Sequence, residues 1–130
     1  MFYRILFYLT LLSTIGVAQQ KKVLVQGLNE SAVRELQSAE PRARVVTVTE
    51  QNLMQQVADA DAILGTISPE LVRAGKKLRL FQTYSTGVER YLVETPSHEL
   101  RDSPITVTNC KIIQGPEIAD HAFAMLLDPH

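Results

Sequence analysis

The sequence predicts an α/β protein built on a doubly wound parallel sheet of flavodoxin-like type. Short β-rich runs alternate with stretches of helical periodicity, each switch is marked by a capping residue or a breaker, and the connections are short. Together these features favour strands joined through crossover helices over hairpins.

Residues 22–27, Lys-Val-Leu-Val-Gln-Gly, form the first predicted strand. Asn29 suits the cap of a helix whose apolar positions Val33 and Leu36 are three apart, and Pro41 closes it before a second strand at 44–48. Thr49 caps a helix carrying Leu53, Met54 and Val57. The third strand is 62–65. Ser68, Pro69 and Glu70 then supply a cap, a first-turn proline and a first-turn acid in order, and Gly75 ends that helix. The fourth strand, 78–83, is a nearly continuous apolar run, as expected of a central strand covered on both faces. A small-residue turn and a short helix with Val88, Tyr91 and Leu92 facing inward follow it. After a polar loop comes the alternating strand 105–109, and Pro116 and Glu117 open the last helix.

The composition fits one ordinary domain: 130 residues, 45% hydrophobic, with thirteen Lys and Arg against fourteen Asp and Glu. Those charges are scattered along the chain with no polybasic run, which argues against nucleic acid or anionic lipid as a partner. Residues 1–18 differ in character. A lone Arg4, an apolar run over 5–12 and small residues at Gly16 and Ala18 read as a secretory signal peptide cleaved after Ala18, or else as an uncleaved anchor. The run is shorter than the ~20 residues of a membrane-spanning helix. Cleavage leaves a periplasmic or extracellular protein with no stable membrane span. Cys110 is the only cysteine, so no internal disulfide forms, and it reads as a semi-buried filler.

In such sheets ligands bind beyond the carboxyl ends of the strands. The segments to inspect are therefore 26–29, 65–68, 83–87 and 109–115. A phospho-acceptor site needs acids after the first and third strands, where Gln26-Gly27 and Gly65-Thr66 stand instead. No Gly-rich phosphate loop follows any strand. None of the three histidines has a second ligand or nucleophile at a useful spacing, so neither a metal site nor a catalytic residue is assigned. At residues 85–87, Ser-Thr-Gly carries little bulk, so amides at the start of the next helix can approach a carboxylate or phosphate. A plain strand-to-helix connection with a capping hydroxyl suits the same residues.

Three segments, Leu80-Phe81-Gln82-Thr83-Tyr84-Ser85-Thr86-Gly87-Val88-Glu89-Arg90-Tyr91, Ile105-Thr106-Val107-Thr108-Asn109 and Ile118-Ala119-Asp120-His121-Ala122-Phe123-Ala124-Met125-Leu126-Leu127, occur in the order and spacing of three successive motifs of a known family. The chain thereby resembles the N-terminal, substrate-side domain of the D-isomer-specific 2-hydroxyacid dehydrogenases. The resemblance implies a two-domain oxidoreductase moving hydride between NAD or NADP and the CH–OH group of a 2-hydroxy acid. It assigns substrate-carboxylate binding to Ser85, Thr86, Gly87 and Val88. Thr66 and Ile67 would line the same cleft, and Asn109 would lie near the cofactor side.

The family pattern further requires a three-glycine dinucleotide loop, an acid for the ribose, a substrate-gripping Arg and a His with an acidic partner, none of which this sequence contains. Residues 19–127 are thus expected to be an incomplete enzyme, inactive alone, with 128–130 as an atypical tail. Over 119–127 apolar residues point nearly all round the helix axis, which calls for cover by the missing cofactor domain or by a second copy in a homodimer. The alternative is an exported carboxylate-binding module that does no catalysis.

Overall fold

The computed structural model describes residues 19–111 and 115–127. The leader at 1–18 and the tail at 128–130 lie outside the described residues. The elements are β1 (Lys21–Val25), α1 (Glu30–Ala39), β2 (Ala43–Thr47), α2 (Glu50–Gln56) with a 3-10 turn (Val57–Asp59), β3 (Ala62–Gly65), α3 (Pro69–Ala74), β4 (Leu80–Thr83), α4 (Glu89–Leu92), β5 (Thr106–Thr108) and α5 (Gly115–Leu127). The five strands are all parallel in the order β2-β1-β3-β4-β5. The chain runs outward from β1 to β2 and returns past it to β3, so the winding reverses between β1 and β3.

The expected local signals act as the residue types dictate. Asn29 Oδ1 accepts from the Ala32 amide at 2.9 Å, and Asn52 Oδ1 accepts from the Thr49 amide at 2.9 Å. Ser68 Oγ accepts from Leu71 N at 3.4 Å, with Pro69 in the first turn, and the Gly75 amide closes α3 on Leu71 O at 2.8 Å.

Right-handed crossovers put α1 on one face of the sheet and α2 to α4 on the other. The second face holds the core. Leu24, Ile63 and Phe81 are neighbours across β1, β3 and β4, and onto them pack Leu53, Val57 and Leu71 from the helices.

The continuous apolar character of 78–83 overstates the strand. β4 begins at Leu80, because Leu78 is buried in the turn that closes on Gly75, and Leu80 is exposed while Gln82 is half-buried. The strand is therefore covered on one face only. α1 packs over β2, leaving beside it an open apolar groove lined by Leu28, Ala32, Leu36, Leu64 and Tyr84.

At the opposite edge two charges are built into the framework. Lys22 is buried, and its Nζ donates to Gln56 O at 2.9 Å and pairs with Asp59, closing the end of α2. The Asp61 carboxylate accepts from Lys22 N and Lys21 Nζ, each at 2.9 Å. Burial works to raise the Asp61 pKa, but these two donors outweigh it and hold the carboxyl below the ordinary aspartate value of 3.8. A carboxyl depressed on folding contributes stability above its unfolded value and loses it as pH falls through the folded one. Urea unfolding followed from neutral to acid pH is expected to show this loss below about pH 4, and Asp61→Asn to flatten that part of the profile.

Candidate functional site

The carboxyl edge of the sheet is held by a web of polar contacts around the β1–β3 reversal. Gln26 follows β1, and its amide spans to the segment after β3. Nε2 donates to Thr66 O at 3.0 Å, while Oε1 accepts from Thr66 Oγ1 at 2.8 Å and from Thr66 N at 3.3 Å. Gly65 permits this approach, since its φ of 139° and its closeness to Gln26 leave no room for a side chain. Tyr84 reaches across from the end of β4 and donates to Gln26 O at 3.0 Å, with Leu64 O at 3.3 Å. Partial burial, with the Cys110 thiol nearby, pushes its phenol above the ordinary value.

The turn at 85–88 leaves β4 under tight control. Thr83 Oγ1 accepts from Ser85 N at 3.1 Å, and Ser85 Oγ accepts from Gly87 N at 3.3 Å. From the β5 side, Asn109 Nδ2 donates to Thr86 O at 2.8 Å and the Cys110 amide to Ser85 O at 3.0 Å. The amides of Ser85 and Gly87 are thereby used internally. Those of Thr86 and Val88 make no hydrogen bond within the described residues. Val88 caps α4, which has only four residues, so the turn itself carries any anion site and the helix dipole adds little. Tyr91 and Leu92 pack on the core as expected, whereas Val88 is half-buried outside it.

Glu89 was not anticipated. Its carboxylate lies against Gly87, where a Cβ built on the glycine would overlap Oε2. An internal carboxylate thus stands over the turn that was expected to receive an external one. Gly87 has an ordinary backbone conformation, so its lack of bulk matters for space alone.

The residues singled out in the sequence fall into two groups. Ser85, Thr86, Gly87 and Val88 form the turn itself. Thr66 and Ile67 lie on the neighbouring connection, joined to it through Gln26 and Tyr84. Asn109 touches the turn but commits its amide to Thr86 O, which makes it a clamp on that loop. Gln26 stood in a segment marked for inspection and Tyr84 in the motif, but neither was given a role in building the site. Their signal is faint, a polar residue ending a strand opposite Gly65-Thr66 and an aromatic one ending the next. The crevice beside Ile67, Ser68 and Tyr91 encloses about 20 Å³, room for one water, so the carboxyl edge is an open shelf. Among the described residues no three His, Cys, Asp or Glu gather as a metal site would require.

No model of a known protein family matches the chain, and neither does any curated protein. Among solved structures, the chain is similar to a D-isomer specific 2-hydroxyacid dehydrogenase family protein from Aeromonas salmonicida subsp. salmonicida A449, with TM-score 0.66 and 23% identity. The match takes in 83% of this chain and 35% of that one, so the chain spans about a third of that protein's length. At this identity the likeness shows a shared fold.

Proposed function

We propose that this domain is the substrate-carboxylate half of a two-part site, the substrate-side domain of an NAD- or NADP-dependent oxidoreductase acting on 2-hydroxy or 2-oxo acids. One observation carries the reading: a clamped turn at the carboxyl end of β4, with the Thr86 and Val88 amides unspent, stands beside the β1–β3 reversal of a fold shared with a 2-hydroxyacid dehydrogenase family protein. Export by the apolar leader belongs to the same proposal.

In this reading the acid's carboxylate accepts from Thr86 N and Val88 N, with Thr66 and Ile67 as the facing wall. Glu89 sets the condition for entry. Two carboxylates at contact distance repel, so its side chain swings outward when the substrate seats. The domain's own residues do not fit a nicotinamide cofactor, because no strand leads into a three-glycine turn that could cradle a pyrophosphate. A carboxylate cradle orients without reacting, so the chain by itself turns nothing over. A cofactor domain on another polypeptide or a longer chain completes the cleft. α5 is exposed along its whole length, with Ile118, Phe123 and Met125 uncovered, and offers that domain or a second copy an apolar face.

Calorimetric titration with D-lactate and glyoxylate is the test. Binding is expected, weak because one wall is absent, and Gly87→Leu should abolish it by filling the cradle. Glu89→Gln should tighten it about threefold to tenfold by removing the opposing charge. No heat from either acid would overturn the cradle. Oxidation of NADH with glyoxylate by this chain alone would overturn the inactive half-site.

A further inference from the structure

Part of one sheet face is bare. An all-parallel sheet is ordinarily covered on both sides, yet on the face away from the core α1 packs over β2 alone. On that face Leu64 of β3 is half-buried and Leu80 of β4 is exposed, in register with Ala62. Leu64 floors the open groove beside α1, with Ala32, Leu36 and Ala39 as its wall and Leu28 and Tyr84 at its end. Glu35 is the one charged residue that lines it. The groove holds about 380 Å³, which at ~30 Å³ per water is room for a row of side chains.

The same chain carries a helix with apolar surface and nothing to bury it on. Every residue of α5 is exposed, and none lines the groove. Around the helix axis Glu117, Asp120 and His121 fall in one polar stripe about 100° wide. Ala119, Ala122 and Leu126 stand opposite that stripe, flanked by Ile118 and Phe123. Two alanines around a leucine let the helix axis approach a surface closely, and the larger flanking side chains fill the space on either side.

We propose that α5 of a second copy seats in this groove and that the exchange is reciprocal, giving a twofold dimer. A groove and a helix that do not meet within one chain meet between two, and exchanging an identical element is a ready route to dimers. Area decides for two seats over one. Burying a large apolar side chain removes roughly 60–120 Å² from water, so the five on α5, matched by the groove and doubled by the twofold, give on the order of 1,000–2,000 Å². That clears the ~1,000 Å² expected of a stable interface, and a single seat falls short of it. Tyr84 lines the seat and donates to Gln26 O, so the dimer abuts the web at the carboxyl edge. The assignment is independent of what the turn at 85–88 binds.

The test is cross-linking between two differently tagged preparations of the full chain, each carrying Cys110→Ser to remove the native thiol. One carries Leu36→Cys and the other Leu126→Cys, both at exposed positions, and a flexible bis-maleimide joins thiols that lie close. A mixed covalent dimer is expected, about tenfold or more above the yield with Met54→Cys, exposed on α2 across the sheet, in place of Leu36→Cys. In sedimentation the wild type should run as a dimer, Leu36→Lys as a monomer and Met54→Lys as a dimer. A monomeric wild type, or a mixed dimer no more abundant than with Met54→Cys, would overturn the proposal. A link within one chain carrying both Leu36→Cys and Leu126→Cys, without covalent dimers, would return α5 to its own groove and overturn it too. Dimers of Leu126→Cys with itself, while Leu36→Cys stays unlinked, would pair the helices with each other and be equally fatal.

Discussion

Phe81→Ala is expected to cost about 3–5 kcal/mol, a large part of the 5–15 kcal/mol typical of a domain. Phe81 is fully buried between Ile63 of β3 and Val107 of β5, and its ring meets Tyr91 edge to face at 4.9 Å and 75°. Removing it opens a cavity where three strands and α4 converge. It also takes away the contact that seats α4, and with α4 the turn at 85–88. Urea denaturation should show the lost stability, and hydrogen exchange should speed up first at the α4 amides. Phe81→Leu, which keeps most of the volume, is expected to cost less than about 1.5 kcal/mol. Similar losses for the two variants would mean that the ring's packing on Tyr91, and not the volume it fills, carries the effect.

The second large effect is expected at Gly65. An alanine there must hold a φ of 139° and place its Cβ 2.8 Å from Gln26 Cβ and 2.9 Å from Gln26 Cδ. The backbone strain is of order 1–3 kcal/mol, and displacing Gln26 breaks its contacts to Thr66, for a total near 3 kcal/mol. The other glycines calibrate the result. Gly27 has a φ of 68° with open space around it, so Gly27→Ala should cost about 1 kcal/mol from the backbone alone. At Gly87 the overlapping atom is the free end of Glu89, which can move, so Gly87→Ala should stay within about 0.5 kcal/mol. The expected order of thermal destabilisation is Gly65, then Gly27, then Gly87. An effect at Gly87 as large as at Gly65 would show that the turn is held more rigidly than its contacts indicate.

Much of the architecture was legible in the residues, because capping and breaking are local. Asn29, Thr49, Ser68 with Pro69, and Gly75 each act within a few residues of their own position. Boundaries drifted where burial came from elsewhere. Leu78 is as apolar as any strand residue, yet it is buried in a turn, and Leu80 belongs to β4 without being covered. Coverage of a face depends on which helix lies over it, and α1 sits over β2.

The candidate site was half legible. Ser85, Thr86 and Gly87 announced a close-approach turn by their size. The hydroxyls that consume two of its amides and the carboxylate that stands over it could not be read from size. Gln26 and Tyr84 contribute through contacts to residues 40 and 58 positions away, a separation that leaves no periodic trace.

By itself the sequence determined the order and kind of the elements, since helix caps, breakers and hydrophobic period act over a few neighbours. It also pointed to the carboxyl edge as the place to look for a site, because parallel strands carry their loops to one edge. Only the tertiary structure decided that the strand reversal lies between β1 and β3, that Glu89 faces Gly87, and that Lys21, Lys76, Lys77 and Arg79 line one recess. Charges distant in the chain add their fields once the sheet aligns them, and no linear pattern records that alignment.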